Sequence, residues 1–339
     1  MTDNQSPAAG QGATAQEGGR LTTLIEQALG LEEIDINLFR SKILWLPTGA
    51  RGVFGGQVVG LALSAATKTV SPTYSVNSLH CYFLLPGDNT LPIIFRVERN
   101  RDGKSYATRT VRAEQRGKSI FVLMASFQSG EQTVIEHQYP MPDVRPPEEL
   151  KTTEQKLQHL LDHPRLGQIP KIRQQFKMRL EEPIPIEIRD CHGFQRARDL
   201  VYPPKKEPKQ YMWMRAKGKL PDDPAFHNCV AAYCSDHYLL TTSILAHGIT
   251  AFSNPRLNML ASLDHAVWFH APFRADEWLL YEMESSRTIA GRGLSFGRIF
   301  TRDGRLVVST AQEGVVRVEN RVPRQIDDKP AVDARESKL

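Results

Sequence analysis

The chain has 339 residues, 40% hydrophobic and 24% charged, with 43 Lys and Arg against 38 Asp and Glu for a net charge of +5. That balance belongs to a globular protein of about two domains and excludes a disordered or fibrous chain. No apolar run of about 18 residues occurs, so no membrane-spanning helix is expected. The basic residues are interleaved with acids rather than gathered into a stripe, which argues against nucleic-acid binding, and the mild excess suits a phosphate-bearing ligand. Cys81, Cys191, Cys229 and Cys234 are too few for a disulfide framework and read as reduced thiols of an intracellular protein.

In chain order, residues 1–20 read as a disordered leader without the pattern of a secretory signal. Residues 21–35 (LTTLIEQALGLEEID) predict a short amphipathic helix, and Asn37–Pro47 a first strand. Gly52-Val53-Phe54-Gly55-Gly56-Gln57 then leads into VVGLALSAATKTV, small and apolar all round as a buried helix is, and Pro72 closes it. Strands are expected over Ser75–Leu85, Leu91–Glu98, Ser105–Glu114 and Ser119–Gln128, separated by turns at Pro86-Gly87-Asp88, Asp102-Gly103 and Arg116-Gly117-Lys118. Residues 138–208, dense in Pro and charge, read as a linker holding one helix at Glu148–His163. The pattern then restarts with a strand at Gln210–Ala216 and a long helix at Phe226–Ala246. Strands follow at Met259–Phe269, Trp278–Glu284, Gly293–Thr301 and Leu306–Val318. The expected domains are 21–137 and 209–320, with a tail at 321–339. That tail closes on Ser337-Lys338-Leu339, a signal read by the peroxisomal import receptor, so the peroxisome matrix is the expected compartment.

The restart is an internal repeat. At an offset of 186 positions Tyr82-Phe83 lies on Trp268-Phe269, Pro86 on Pro272, and Val97-Glu98-x-x-Arg101 on Met283-Glu284-x-x-Arg287; one inserted residue later, Gly117-Lys118 lies on Gly304-Arg305. Each half reads as a strand, a buried helix and then antiparallel strands. The repeat makes each half a control for the other. Ser262 lies opposite Val76 and Gln312 opposite Ala125, so the second half carries two polar side chains that the fold does not demand. Asp236 is the third oddity, a carboxylate within the apolar run VAAYCSDHYLLTTSIL, where burial is costly without hydrogen bonds. The competing reading is a helix-start aspartate, after a break at Cys234-Ser235, that caps backbone N–H groups.

The residues then resemble a known family. Ser235-Asp236, Leu263-Asp264-His265-x-x-Trp268-Phe269-His270-x-Pro272-Phe273, Trp278-Leu279-Leu280-Tyr281, Asp303-Gly304 and Gln312-Glu313-Gly314-Val315 look like the acyl-CoA thioesterase II family. Phe54-Gly55-Gly56-Gln57 and Leu79-His80-x-Tyr82-Phe83-x-x-Pro86-Gly87-Asp88 match it in the first half, so the resemblance spans roughly residues 30–320. It implies an α+β fold, a tandem (double) hotdog with each half an antiparallel sheet wrapped around a long helix. It implies hydrolysis of acyl-CoA to free fatty acid and coenzyme A, and an active site that falls on Asp236, Ser262 and Gln312. Ser262 stands where the family often has Thr, keeping the hydroxyl, and His237 stands where many members have an aromatic residue.

On that reading the three side chains hold and activate a water, with Asp236 as general base. An acyl-enzyme on Ser262 is the alternative mechanism. Backbone N–H groups at a helix start would stabilise the oxyanion, with Gly55 and Gly56 at the first-half helix, or else the start of the second-half helix, as candidates. His80 is a second-tier site candidate, its repeat partner being Ala266. No cofactor is expected. His159 and His163, or Cys229 and Cys234, lack the further ligands of a metal site, and no G-x-S-x-G elbow or P-loop occurs. The partners expected are acyl-CoA, the import receptor and, since hotdog sheets commonly pair, a second copy of the chain. The competing functions are a hotdog enoyl-CoA hydratase using Asp236-His237, and a non-catalytic acyl-CoA-binding protein.

Overall fold

The computed structural model describes residues 16–17, 20–131, 134–164, 169–192 and 197–319. The leader lies almost entirely outside these residues, and the Ser337-Lys338-Leu339 terminus lies wholly outside them.

A two-residue ladder, β1 (Gln16–Glu17) with β2 (Arg20–Leu21), precedes α1 (Leu24–Ala28). The Thr23 hydroxyl and the Glu26 carboxylate cap α1 reciprocally, and Gly30 follows its end. The expected helix over 21–35 is therefore cut short. Leu31–Asp35 forms β3, which turns through left-handed Asn37 into β4 (Leu38–Ser41). The apolar spacing of Leu31 and Ile34 imitated a helix face, but β3 is a mostly exposed edge strand.

The buried helix falls where expected, as α2 (Gly55–Thr67). Gln57 anchors it although fully buried. Its amide donates to the carbonyls of Ala28 (2.8 Å) and Ile43 (2.9 Å) and accepts from the Trp45 N–H (2.8 Å). Strands β5 (Tyr74–Phe83), β6 (Ile94–Asp102), β7 (Tyr106–Gln115) and β8 (Lys118–Ser129) complete the first half.

The segment 138–208 holds more than the single expected helix. It contains α3 (Thr153–Leu161), α4 (Pro170–Glu181) and β9 (Ile186–Asp190). Strand β9 adds to the sheet edge beside β10 (Lys209–Ala216). Leu150, from the same segment, packs with Trp213, Trp278, Leu280 and Phe300, so the segment covers one face of the second half. Period reading missed α4 because its mostly polar sequence buries only Ile172 and Phe176.

Helix α5 (Pro224–Ser235) follows. The long helix expected to run to Ala246 stops at Ser235, with Asp236 as its C-cap. Tyr238 takes a left-handed φ of 63°, and the chain resumes as a 3₁₀ segment over Leu240–His247. Strands β11 (Arg256–Ser262), β12 (Asp264–Phe269), β13 (Leu279–Ile289), β14 (Arg292–Thr301) and β15 (Leu306–Glu319) close the fold.

β3 to β15 form one 13-stranded sheet, ordered β3-β4-β6-β7-β8-β5-β12-β15-β14-β13-β10-β9, with β11 also paired to β15. Within it β4-β6-β7-β8-β5 and β10-β13-β14-β15-β12 are the same order run in opposite directions, the topological form of the repeat. The halves meet along antiparallel β5 and β12, where His80 lies opposite Ala266. These two residues are also equivalent in the sequence repeat. An internal two-fold axis therefore passes through this pair. Both helices lie on the inner face of the sheet and cross with backbone contact: a Cβ on Gly56 would sit 2.3 Å from the Tyr233 carbonyl oxygen, and one on Gly60 3.1 Å from that of Cys229.

Candidate active site

The helix break that ends α5 puts Asp236 beside the start of α2, on the inner face next to the seam. Asp236, Ser262 and Gln312, drawn from a helix end and two neighbouring strands, converge. The Gln312 Nε2 donates to Asp236 Oδ1 at 2.5 Å and to Ser262 Oγ at 2.8 Å, and the Ser262 hydroxyl is 3.4 Å from the same Asp236 oxygen. Gln312 is fully buried, whereas Asp236 and Ser262 are partly exposed, so a ligand reaches the carboxylate and hydroxyl while the amide backs them. Burial pushes the Asp236 carboxyl up to about 6, against the hydrogen bonds from Gln312, the Gly56 N–H and Ser262 that favour its ionised form. It is a carboxylate at neutral pH and basic enough to take a proton.

Gly55 and Gly56 reach the site, but not simply as oxyanion donors. The Gly56 N–H donates to the Asp236 carboxylate, and a Cβ on Gly55 would lie 2.7 Å from Asp236 Oδ2. The α2 N-terminus thus cradles the carboxylate, a placement its positive end favours. Asp236 is the C-cap of α5 and not the helix start that the competing reading supposed, and the backbone N–H it accepts from, that of Gly56, belongs to the other half's helix. His80 is not brought to the cluster. Strand alternation turns Leu79 and Cys81 inward and His80 outward, where it is exposed and edge-on to Trp268 at 5.3 Å. His237 forms wall: its ring is buried edge-on against Phe54 at 4.4 Å, and burial lowers its pKa to about 4.

Sequence reasoning missed the layer beneath. The Ser235 hydroxyl lies 2.9 Å from the Ala232 carbonyl and 2.7 Å from His265 Nε2. With one proton to give, it donates to the carbonyl and accepts from a neutral His265 protonated at Nε2, which burial holds down to about 3. The Tyr281 hydroxyl donates to the Ser235 carbonyl at 2.8 Å and is 2.9 Å from the Thr310 hydroxyl. Ser235 is thereby pinned at side chain and backbone, immediately before Asp236. All three residues lie in the motifs that carry the family resemblance, but a motif does not say that they bond to one another, and the apolar pattern treats an inward His and Tyr as core.

At the positions equivalent to Ser262 and Gln312, the first half has buried Val76 and Ala125. The constellation is thus built on one side of the internal two-fold only.

Two family models match the chain: one described as acyl-CoA thioesterase over residues 196–315, the other as acyl-CoA thioesterase N-terminal domain over residues 43–128. Acyl-coenzyme A thioesterase 8 of Homo sapiens is 42% identical over 331 residues, covering 95% of this chain and 98% of the relative. Among solved structures, an acyl-CoA thioesterase II, TesB2, from Mycobacterium marinum is 40% identical with a TM-score of 0.67, over 87% of this chain and 98% of that one. A hot dog fold protein of unknown function from Alicyclobacillus acidocaldarius, 18% identical with a TM-score of 0.66 over 88% of this chain and 99% of its own, shares the fold. With both halves matched by its models and a relative aligned along nearly its whole length, the chain belongs to the acyl-CoA thioesterase family.

Proposed function

We propose that this acyl-CoA thioester hydrolase works by direct attack of a water held by Asp236, Ser262 and Gln312, on a scaffold of two hotdog domains in tandem. The domains are 21–137 and 209–320, and 138–208 connects them. The repeated strand order and the residue pair on the internal two-fold support the tandem reading. The observation that carries the chemistry is a reachable carboxylate, raised to about 6, sharing one amide with a reachable hydroxyl.

In the reaction, Ser262 and Asp236 orient a water against the thioester carbonyl. Asp236 accepts a proton as the water oxygen bonds to the carbonyl carbon. The tetrahedral intermediate then expels the coenzyme A thiolate, which recovers that proton, leaving the free acid. The first turn of α2 favours the developing negative charge, with Gly55 the remaining candidate donor now that the Gly56 N–H is engaged. An acyl-enzyme on Ser262 is disfavoured because its hydroxyl oxygen is taken up by the Gln312 amide at 2.8 Å, while the Asp236 carboxylate stands 3.4 Å away, long for proton abstraction from it.

The site is proposed to act in the peroxisome matrix, delivered by an import receptor reading Ser337-Lys338-Leu339, and the paired sheets are proposed to support self-association. The test is thiol release from acyl-CoA esters of short to long chain, with the intact chain and with the last three residues removed, alongside the location of both in cells. Equal turnover with import lost only in the shortened chain is expected. Absence of thiol release from every ester overturns the hydrolase reading, and unchanged import overturns the address.

A further inference from the structure

Gln312 is satisfied on one side only. Its Nε2 gives both protons, to Asp236 and Ser262, while its Oε1 is buried without a partner. A buried acceptor in that condition is uncommon and calls for an explanation. Directly opposite it in the ladder, Ser295 on β14 faces Gln312 on β15. The two share the inner face, both fully buried, and the Ser295 hydroxyl is likewise without a partner. Opposed side chains on neighbouring strands stand about 5 Å apart at Cβ. One atom is a donor lacking an acceptor, the other an acceptor lacking a donor.

The surroundings enclose this pair. Glycines in β14 and β15 leave notches that the 3₁₀ segment fills: a Cβ on Gly314 would meet Leu240 at 2.2 Å, and one on Gly293 would meet the Ser243 hydroxyl at 2.3 Å. Leu240 and Ser243 therefore close over this stretch of the two strands. Both residues are thereby closed off from bulk water, with one donor and one acceptor unsatisfied.

We propose that Ser295 is a positioning residue for Gln312, donating its hydroxyl proton to Oε1 directly or through one enclosed water and so fixing which way the amide faces. The orientation matters because the two ends of the amide are nearly the same shape and opposite in function. With Nε2 forward, the amide supports the Asp236 carboxylate and the Ser262 oxygen. Turned over, it sets Oε1 against the carboxylate, acceptor against acceptor. Once Asp236 has taken the water's proton, that repulsion vanishes and nothing at the front of the amide prevents the turn. Ser295, from behind, holds the amide through the step and returns the site ready for the next water. The inference rests on the hydrolytic reading of the same site.

The test is a double-mutant cycle with Ser295→Ala and Gln312→Ala, singly and together, read as single-turnover thiol release from an acyl-CoA ester with enzyme in excess. Steady-state kcat and KM are measured for the wild type and Ser295→Ala. Loss of the orienting bond is expected to lower kcat about tenfold with KM within about twofold. In the Gln312→Ala background, adding Ser295→Ala is expected to change the rate less than about twofold, because the group it acts through is gone. An undiminished kcat in Ser295→Ala, or the same tenfold loss in both backgrounds, overturns the proposal, since a purely structural serine would act independently of Gln312. Should Ser295→Ala fail to fold, Ser295→Cys, close in size and a weak donor, is carried through the same cycle. Absence of thiol release by the wild type would defeat the hydrolytic reading, whereas equal release by the wild type and Ser295→Ala would defeat this inference alone.

Discussion

Asp236→Asn should make the protein inactive and, above pH 6, more stable. The carboxyl is raised from 3.8 to about 6, chiefly by burial. At about 1.4 kcal/mol per pKa unit, keeping it ionised costs the folded state about 3 kcal/mol. The sign follows from linkage: the native state binds this proton more tightly than the unfolded chain does. The cost is therefore absent below about pH 4, grows as pH rises towards 6, and is complete above it. Asparagine removes the charge but presents an amide where the carboxylate accepted the Gly56 N–H. An unpaired donor returns about 1–2 kcal/mol of the gain. The net is a stabilisation of about 1–2 kcal/mol at pH 7.5, a rise in Tm of about 2 °C or more, which reverses by pH 4 to a destabilisation of about 1–2 kcal/mol as only the unpaired N–H remains. Over the same range the wild-type kcat/KM should climb with an acid limb near 6, and the variant should lose about 10²- to 10⁴-fold and show no such limb. Scanning calorimetry at pH 4, 6 and 7.5 beside thiol-release rates reads both effects. A wild-type profile flat between pH 5 and 7, or a variant keeping more than about a tenth of the rate, would refute the assignment of Asp236 as base.

Gly55→Ala should lower kcat more than about tenfold while the protein still folds. Its methyl would lie 2.7 Å from Asp236 Oδ2 and 2.9 Å from Phe83, so the carboxylate must move, and a crystal structure of the variant checks the displacement. Gln57→Ala leaves the Trp45 N–H and the carbonyls of Ala28 and Ile43 without their partner, and should cost about 3–5 kcal/mol in urea unfolding; less than about 1 kcal/mol would mean that water replaces the amide. His80→Ala, on the outward face, should leave kcat and KM unchanged within about twofold, and a collapse of kcat would return it to the site.

The repeat made much of this legible. A fold built twice shows which polar residues it does not need, and Ser262 against Val76 and Gln312 against Ala125 stood out on that ground alone. Both prove to share an amide hydrogen bond. The buried helix α2 and most strands following the two helices were also readable, because small apolar residues and period-two alternation leave few alternatives, but the single strand expected over Met259–Phe269 is divided into β11 and β12. What failed to show was decided by single backbone events. The amphipathic spacing of residues 21–35 said nothing of the break at Gly30, and the apolar run to Ala246 said nothing of the left-handed Tyr238. The direction of His80 was also invisible, since a motif names a residue without saying which face of the strand it occupies. Nor could spacing reveal Ser235, His265 and Tyr281, whose bonds cross between a helix end and two strands far apart in sequence.

The break at Ser235 is the step on which the site depends. Asp236 itself keeps right-handed dihedrals, φ −82° and ψ −10°, so the end of α5 carries its carboxylate to the α2 N-terminus, and the reversal comes two residues later at left-handed Tyr238. Ending the helix there lets the backbone reverse, and three features make the ending stable. His265 and Tyr281 take up the polar groups of Ser235, the start of α2 takes up the Asp236 charge, and the glycines of β14 and β15 admit the 3₁₀ segment that replaces the missing turns. The first half needs none of this. Helix α2 runs uninterrupted to Thr67, and Val76 and Ala125 are apolar. Two halves of the same sheet order and helix crossing thus remain, while the end of α5 places the Asp236 carboxylate at the other half's helix start. The three polar side chains all belong to the second half, but the backbone N–H that receives the Asp236 carboxylate, that of Gly56, belongs to the first. The seam between β5 and β12 accordingly holds the carboxylate and its N–H donor together as much as it closes the sheet.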